Sequence, residues 1–219
     1  MERVYNIALD GPCGSGKSTI AKLLSKELGI TYLDTGAMYR AVAYYMLENN
    51  IDVANAEEVE KVLPNISIEM KDDGKQIVIL NGVDIADKIR TPEMSKSAST
   101  VSKHPCVRQK MVELQRAIAS KNSMVLDGRD IGSYVLPDAE FKFYITADID
   151  VRAKRRYLEL KDKENTTLEA VKENMVARDK QDTERKLAPL VVAEGAYVID
   201  TTNLSIEEVL NIVLKKVRK

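Results

Sequence analysis

One glycine-rich stretch constrains the fold of this chain more than any other feature. Residues 11–18 read GPCGSGKS, which places three of the chain's 10 glycines, a proline and a lysine within eight positions. The apolar run of residues 4–9 precedes this stretch, and Ile20, Leu23, Leu24 and Leu28 follow it at helical spacing. A buried strand, a glycine loop and a helix in this order predict one unit of an α/β fold.

The pattern G-x-x-x-x-G-K-[ST] within this stretch predicts a phosphate-binding loop. Glycines let consecutive backbone N–H groups turn towards one anion, and the N-terminus of the following helix adds positive potential. Lys17 would direct its charge at the β- and γ-phosphates of a bound nucleotide, and Ser18 would offer its hydroxyl to Mg²⁺. The predicted nucleotide-binding residues are Gly11, Pro12, Cys13, Gly14, Ser15, Gly16, Lys17, Ser18 and Thr19. The alternative is a flexible loop with an exposed lysine, and we interpret Cys13 as a small filler rather than a nucleophile.

The rest of the chain alternates short apolar runs with helical patterns. Four further strands are predicted, at residues 30–33, 123–126, 141–145 and 197–199. The alternation predicts a doubly wound parallel five-stranded sheet with helices on both faces. Residues 64–90 interrupt the alternation of strands and helices. Two runs of alternating apolar and polar residues around DDG, followed by NG, predict a small antiparallel β insert there. Ser205 and Glu208 predict a capping box at the start of the last helix.

Composition narrows the class of protein. The 219 residues carry a net charge of −1, so no basic field favours nucleic acid or a membrane as partner. The two cysteines have no metal-type spacing, and the single histidine, His104, is interpreted as a surface turn residue. No signal segment or membrane-length apolar run occurs, so we expect a cytoplasmic protein, and a monomer because no long exposed apolar stripe predicts a dimer.

Charged residues follow two further strands of the predicted sheet. Residues 33–40 read LDTGAMYR, and residues 126–132 read LDGRDIG. Ligands of open α/β sheets bind outside the carboxyl ends of the strands. A capped helix with a surface arginine, or a solvated turn, is the alternative for each segment alone. With the glycine loop, these two segments make three at one sheet edge, which favours a ligand-binding site. Its position at the end of a strand also makes Asp127 a candidate Mg²⁺ ligand.

A helix predicted over residues 168–186 changes character along one face. Its positions 168, 171 and 175 are apolar, whereas 178, 182 and 185 are Arg, Asp and Arg. An inward stripe that becomes charged indicates a helix that runs from the core into a cleft; a surface Arg178–Asp182 pair is the alternative. The basic run Arg152, Lys154, Arg155 and Arg156 precedes a helix break at residues 161–165. Beside a polyphosphate this run would form a lid, and otherwise it is a solvated helix face.

Together these motifs resemble the bacterial cytidylate kinases (CMP/dCMP kinases) of the nucleoside monophosphate kinase family. The resemblance covers essentially the whole chain, including DGPCGSGKST, LDTGAMYRAVA, DGRDIG, RDKQDTERKLAPL and the β insert. It implies transfer of the γ-phosphoryl group of ATP to CMP or dCMP, with Mg²⁺. The alternatives are another P-loop kinase, with UMP or a small hydroxyl substrate such as shikimate as acceptor, and a regulatory P-loop ATPase. No N-K-x-D motif of a Ras-type GTP switch occurs.

The resemblance also implies roles for individual residues. Catalytic roles fall to Lys17, Arg129, Arg155, Arg178 and Arg185. The residues around cytosine would be Thr35, Ser99, Arg108 and Asp130. The CMP phosphate would be held by Arg40, Arg129 and Arg185. The ribose would contact Arg178 and Asp182. Two positions depart from some relatives, Thr35 in place of serine and Gln181 in place of arginine. The implied domains are a core of residues 1–34, 106–150 and 187–219, a CMP-binding domain of residues 35–105, and a lid with its adjoining helix at residues 151–186.

Overall fold

The computed structural model describes residues 4–72, 76–162 and 165–218 of the 219-residue chain. The chain forms two compact units. The first unit contains Met1–Ile30 and Ser123–Lys219, and the second contains Thr31–Asn122. Among the described residues, no helix combines the length and apolar character needed to cross a membrane.

The strands form two sheets. In chain order they are β1 (Asn6–Asp10), β2 (Thr31–Asp34), β3 (Ile68–Asp72), β4 (Gln76–Leu80), β5 (Val83–Asp84), β6 (Met124–Asp127), β7 (Phe141–Thr146) and β8 (Tyr197–Asp200). The larger sheet has five strands in the order β2-β6-β1-β7-β8, and the smaller has the order β3-β4-β5. The predicted five-stranded parallel sheet and the antiparallel insert are thus confirmed.

Helices connect these strands. They are α1 (Lys17–Leu28), α2 (Thr35–Glu48), α3 (Ala56–Val62), α4 (Pro92–Val101), α5 (Pro105–Ala119), α6 (Ile149–Leu160), α7 (Leu168–Glu184) and α8 (Ile206–Val217). A short 3₁₀-helix spans Leu63–Asn65, and a π-helical turn spans Ile131–Val135. Glycines in the left-handed region flank both ends of α1, Gly16 (φ 92°) before it and Gly29 (φ 65°) after it, and a glycine of this kind commonly ends a helix.

Strand β1 is the centre of the first unit. It pairs in parallel with β6 on one side and with β7 on the other, and Leu9 lies opposite Asp127. Ile7, Ala8 and Leu9 are fully buried, as expected for a parallel strand covered on both faces. Because parallel strands end at the same edge, the glycine loop after β1 and the charged turn after β6 leave the sheet side by side.

The second unit contains the β insert. Met70 of β3 pairs with Val78 of β4 in antiparallel fashion. Residues 73–75, which include the last two residues of the DDG sequence, lie outside the described residues. The second turn, between β4 and β5, has Asn81 at φ 48° and Gly82 at φ 83°. Two consecutive left-handed residues make the type I′ turn that an Asn-Gly hairpin predicts.

His104 was predicted at the surface, and this prediction is wrong. The residue flanks the N-terminus of α5 and is only 8% exposed. Its Nε2 lies 2.8 Å from the backbone carbonyl oxygen of Val53. This backbone carbonyl gives one ring nitrogen a partner inside the second unit, which lowers the cost of burying the imidazole.

Candidate active site

The backbone of the glycine loop excludes a side chain at Gly11 and disfavours one at Gly14. Gly11 has φ 144°, and a Cβ there would lie 2.0 Å from the carbonyl oxygen of Ile145 in β7. Gly14 has φ 72°, and a Cβ there would lie 2.8 Å from Cε of Met175. The loop therefore packs directly on β7 and on α7, which explains its glycine content.

Lys17 folds back into this loop. Its side chain is buried, and Nζ donates to the Pro12 carbonyl oxygen (2.6 Å) and to Ser15 Oγ (3.1 Å). Burial, followed by the positive charge of Arg129, lowers the pKa of Lys17 to about 7. An anion in the loop would supply the opposite charge that the ammonium group needs, so this lysine is suited to bind a polyphosphate.

Ser18 and Asp127 bring two oxygen ligands together at the start of α1. The Ser18 hydroxyl donates to Asp127 Oδ2 at 2.6 Å, and Asp127 is the last residue of β6. Hydroxyl and carboxylate oxygens are ligands that Mg²⁺ prefers, and Mg²⁺ in phosphate sites is held by one or two protein groups plus the phosphates. Within the described part of the chain no cluster of three or more His, Cys, Asp or Glu residues forms a metal cage. The donor set fits Mg²⁺ bound with a nucleotide.

The turn after β6 and the end of α7 form a charge network, by which we mean Arg129, Asp130, Asp182 and Arg185. Arg129 Nε donates to Asp182 Oδ2 at 2.9 Å, and Arg185 NH2 donates to Asp130 Oδ1 at 3.1 Å. Arg185 also lies 3.8 Å from Asp182 Oδ1. Burial, the largest single cause, lowers the pKa of Arg129, but the charge and hydrogen bond of Asp182 together with nearby Cys13 and Asp127 outweigh it and raise that pKa. The network joins two segments that the sequence indicated separately.

The stripe on α7 has the predicted apolar-to-charged order, with one correction. Val171 and Met175 are buried against Ala153 of α6, and Asp182 is buried further along. Leu168, however, is 36% exposed, because it is the first residue of α7 and the stripe becomes buried only one turn later. The buried Nε of Arg178 has no hydrogen-bond partner among the described residues.

Two arginines of the predicted lid run make backbone contacts in the first unit. Arg152 donates to the carbonyl oxygens of Ala147 (2.8 Å) and Cys13 (3.0 Å) and forms an ion pair with Asp179 at 2.6 Å. Arg155 donates to Thr201, at the end of β8, through the hydroxyl (3.0 Å) and the carbonyl oxygen (2.8 Å). The catalytic role that the resemblance implies for Arg155 stays a prediction.

Sequence reasoning missed three residues of this region: Asp10, Asp179 and Thr201. Asp10 is buried, and its two carboxylate oxygens accept hydrogen bonds from the N–H groups of Ile131 (2.8 Å) and Gly132 (2.7 Å). Burial is the main cause that raises the pKa of Asp10 to about 6. The only signal in the sequence for these three residues was their position: Asp10 precedes Gly11, Asp179 follows Arg178, and Thr201 follows a strand.

The remaining predicted residues belong to the second unit. Asp34 caps α2, where its Oδ1 accepts from the Ala37 N–H at 2.9 Å and its Oδ2 from Arg40 at 2.8 Å. Thr35 is buried at the start of α2. The buried Nε of Arg40 has no hydrogen-bond partner within residues 4–72, 76–162 and 165–218.

Arg108 and Ser99 lie on two further helices of this unit. Arg108, on α5, is 2% exposed, and its guanidinium carbon lies 5.8 Å from the centre of the Tyr39 ring, within cation–π range. Ser99, on α4, is half-buried. A buried arginine packed against an aromatic ring is held in one orientation, which suits a residue that reads a ligand.

The parallel sheet and the glycine loop together define a P-loop α/β protein. Solved kinases share this architecture: shikimate kinase from Acinetobacter baumannii superposes with a TM-score of 0.51 over 99% of this chain and 94% of that chain, at 16% identity. Shikimate kinase from Bacteroides thetaiotaomicron gives a TM-score of 0.50 over 98% and 99%, at 10% identity. At such identities the likeness shows the fold alone.

The family is defined by sequence. The family model described as cytidylate kinase matches residues 7–219. The curated cytidylate kinase of Bacillus thuringiensis (strain Al Hakam) is 47% identical over 212 residues, which cover 96% of this chain and 94% of that protein. The chain belongs to the cytidylate kinase family.

Proposed function

We propose that this chain transfers the γ-phosphoryl group of ATP to CMP or dCMP, giving ADP and CDP or dCDP. Membership of the cytidylate kinase family supports the reaction. The charge network beside the glycine loop carries the proposal, because a loop that only bound or hydrolysed a nucleotide has no need for arginines paired with buried carboxylates at the adjacent strand end. Such groups suit a second anionic substrate.

The glycine loop is proposed to hold ATP. Residues 11–19 would direct N–H groups and the Lys17 ammonium towards its phosphates. Ser18 and Asp127 would hold Mg²⁺, which when bound neutralises charge on the β- and γ-phosphates. We also propose that residues 151–186 act as the lid of this site and that closure excludes water.

Arginines are proposed to hold the CMP phosphate and to stabilise the transferring phosphoryl group. Phosphoryl transfer depends on positioning and charge stabilisation more than on a general base. The buried Nε atoms of Arg40 and Arg178, each without a hydrogen-bond partner among the described residues, are donors that a substrate oxygen would satisfy. Arg129 and Arg185 would exchange part of their carboxylate pairing for the phosphate, and Arg155 would join them on lid closure.

Cytosine is proposed to be read by Asp130 and Arg108, with Thr35 and Ser99 beside them. Cytosine presents an N4 donor beside the N3 and O2 acceptors, which an acceptor (Asp130) and a donor (Arg108) complement. Uracil reverses the pattern at positions 4 and 3 and would leave buried groups unsatisfied. Arg178 and Asp182 would contact the ribose.

A coupled assay of ADP formation with a panel of nucleoside monophosphates tests the function. We expect ADP to form only when an acceptor is added, and CMP and dCMP to be the best acceptors. Equal or faster turnover of UMP or AMP would contradict the cytidylate assignment. ADP formation at the same rate without any acceptor would support a regulatory ATPase instead. Sedimentation of the purified protein tests the expected monomer.

A further inference from the structure

The carboxylate of Asp10 spans from the end of β1 to the turn after β6. We propose that Asp10 is a positioning residue for phosphoryl transfer, which holds the turn that presents Arg129 and Asp130. The inference rests on the proposed function, because it assigns Asp10 a task within the same site. Asp10 lies directly before Gly11 in the chain, so one residue links the glycine loop to this turn.

Three hydrogen bonds tie the turn to β1. The Gly128 N–H donates to the Leu9 carbonyl oxygen at 3.0 Å, which extends the parallel pairing by one residue. Asp10 then accepts the N–H groups of Ile131 and Gly132, one on each oxygen. Arg129 and Asp130 are the two residues between these anchors. Their backbone is therefore fixed on both sides, and the fixed backbone sets the directions in which the side chains of Arg129 and Asp130 leave the turn.

The π-helical turn explains why a carboxylate is needed at this position. The carbonyl oxygen of Asp130 accepts from the N–H groups of Tyr134 (2.9 Å) and Val135 (3.0 Å), so the turn uses its later N–H groups internally. The N–H groups of Ile131 and Gly132 at its start point out of the turn, as at any helix N-terminus. A carboxylate has two oxygens that accept both, whereas an amide side chain has only one acceptor.

This arrangement distinguishes a role in positioning from capping alone. Helix N-termini are ordinarily capped by the residue that flanks them, which here is Asp130. The Asp130 side chain makes no capping hydrogen bond to the turn it begins, and it pairs instead with Arg185. Asp10, at the end of the adjacent strand β1, accepts the N–H groups of Ile131 and Gly132 instead. The chain thus keeps Asp130 in the charge network at the cost of burying a second carboxylate.

The Asp10→Asn variant tests the proposal first by amide hydrogen exchange. We expect exchange at Ile131 and Gly132 to accelerate at least about tenfold, which follows from the loss of about 1.4 kcal/mol of local protection. Ser133→Ala is the matched control in the same turn, because the buried Ser133 hydroxyl has no hydrogen-bond partner among the described residues. This readout needs no activity, so it remains informative if CMP proves not to be the acceptor. Unchanged exchange at both amides overturns the proposal.

Kinetics test whether the turn acts through Arg129 and Asp130. We expect Asp10→Asn to lower kcat/KM for CMP about 10²-fold, the scale of a small misplacement of catalytic groups, while KM for ATP changes less than about threefold. In an Arg129→Lys background the same substitution should lower kcat/KM for CMP by less than about threefold, because the positioned group is already impaired. Fully additive losses, or equal losses for ATP and CMP, overturn the proposal. If Asp10→Asn does not fold, Asp10→Glu is measured in its place with the same expected split, because the extra methylene group displaces both oxygens from the N–H groups of Ile131 and Gly132.

Discussion

Arg152 and Asp179 form an ion pair of 2.6 Å that holds Cys13 of the glycine loop from both sides. Arg152 donates to the Cys13 carbonyl oxygen at 3.0 Å, and Asp179 accepts from the Cys13 N–H at 3.3 Å. Arg152 belongs to α6 and Asp179 to α7, the two helices of the proposed lid, residues 151–186. The conformation of the loop is therefore coupled to the helix pair on either side of residues 161–167.

Arg152→Ala should destabilise the protein and weaken ATP binding. The substitution leaves Asp179 without its ion-pair partner and removes a donor from the carbonyl oxygens of Ala147 and Cys13. We expect the free energy of unfolding, measured with urea, to fall by about 3 kcal/mol, and KM for ATP to rise. Arg156→Ala is the control for stability, because its ion pair with Glu159 is solvent-exposed and should contribute less than about 0.5 kcal/mol. Equal destabilisation by both variants would contradict the role of the Arg152–Asp179 pair in holding the glycine loop.

Lys17→Ala should abolish turnover and leave the fold intact. Loss of the ammonium group removes the charge directed at the ATP phosphates, and we expect kcat to fall at least about 10²-fold. Stability should not decrease, because burial lowers the pKa of Lys17 to about 7 and so makes its charge costly in the folded state. Steady-state kinetics and thermal melts check both points, with the exposed Lys22→Ala on the same helix as control. Near-normal turnover of the Lys17 variant contradicts the assigned role of the loop.

The loop, the sheet and the β insert could be predicted from the sequence because their requirements are local. Gly11 needs a backbone conformation that only glycine adopts readily, and Asn81–Gly82 makes a turn that two residues specify. Strand positions were also close, with β1 at Asn6–Asp10 where residues 4–9 had been predicted. Such features depend on the order of neighbours along the chain.

The contacts that shape the site could not be predicted in the same way. Asp10 bonds to Ile131, 121 residues away, and Cys13 to Asp179, 166 residues away. No periodicity links such positions, so a carboxylate that supports the site has the same local signature as a solvated one. The prediction that His104 lies at the surface was wrong for a related reason, because its partner is the carbonyl oxygen of Val53, 51 residues earlier.

Asp130→Asn should impair CMP far more than ATP. Asparagine keeps the size of the side chain but loses the charge that pairs with Arg185 and the carboxylate proposed to accept from cytosine N4. We expect kcat/KM for CMP to fall about 10²-fold, KM for ATP to stay within about threefold, and the preference for CMP over UMP to shrink. Asp138→Asn, an exposed carboxylate in the same unit, is the matched control. If the variant impaired the use of ATP as much as that of CMP, Asp130 would not be the residue that reads cytosine.

Ser18 and Asp127 should set the Mg²⁺ requirement. If both oxygens hold the ion, Asp127→Asn raises the free Mg²⁺ concentration needed for half-maximal turnover about tenfold or more, the scale observed when the shell of a metal site is altered. Ser18→Ala should shift it in the same direction, because its hydroxyl bonds to Asp127 at 2.6 Å. Titration of the rate with Mg²⁺ at saturating ATP measures the shift. Unchanged Mg²⁺ dependence in both variants argues that the ion is held by ATP and water alone.

Asp10 should give stability an unusual dependence on pH. Its pKa is raised by burial, and further by Asp130, from 3.8 to about 6, although the N–H groups of Gly132 and Ile131 and the charge of Lys17 oppose the shift. Between these two values the folded state binds more protons than the unfolded state, so this group's contribution to the free energy of unfolding falls as pH rises. The slope is at most about 1.4 kcal/mol per pH unit.

The difference in the free energy of unfolding between the wild type and Asp10→Asn isolates this effect, because all other groups are shared. We expect it to decrease from pH 4 to pH 6 and to level off above, as measured by urea unfolding at each pH. Asp200→Asn should show the opposite sign at lower pH, around and below 3.8, because hydrogen bonds from Thr202 lower the pKa of Asp200 from that value. The fold stabilises the charged form of Asp200. The charged form of Asp10 is destabilised by burial, but it accepts the hydrogen bonds that hold the turn after β6. A difference for Asp10 that grew with pH would mean that its hydrogen bonds outweigh its burial.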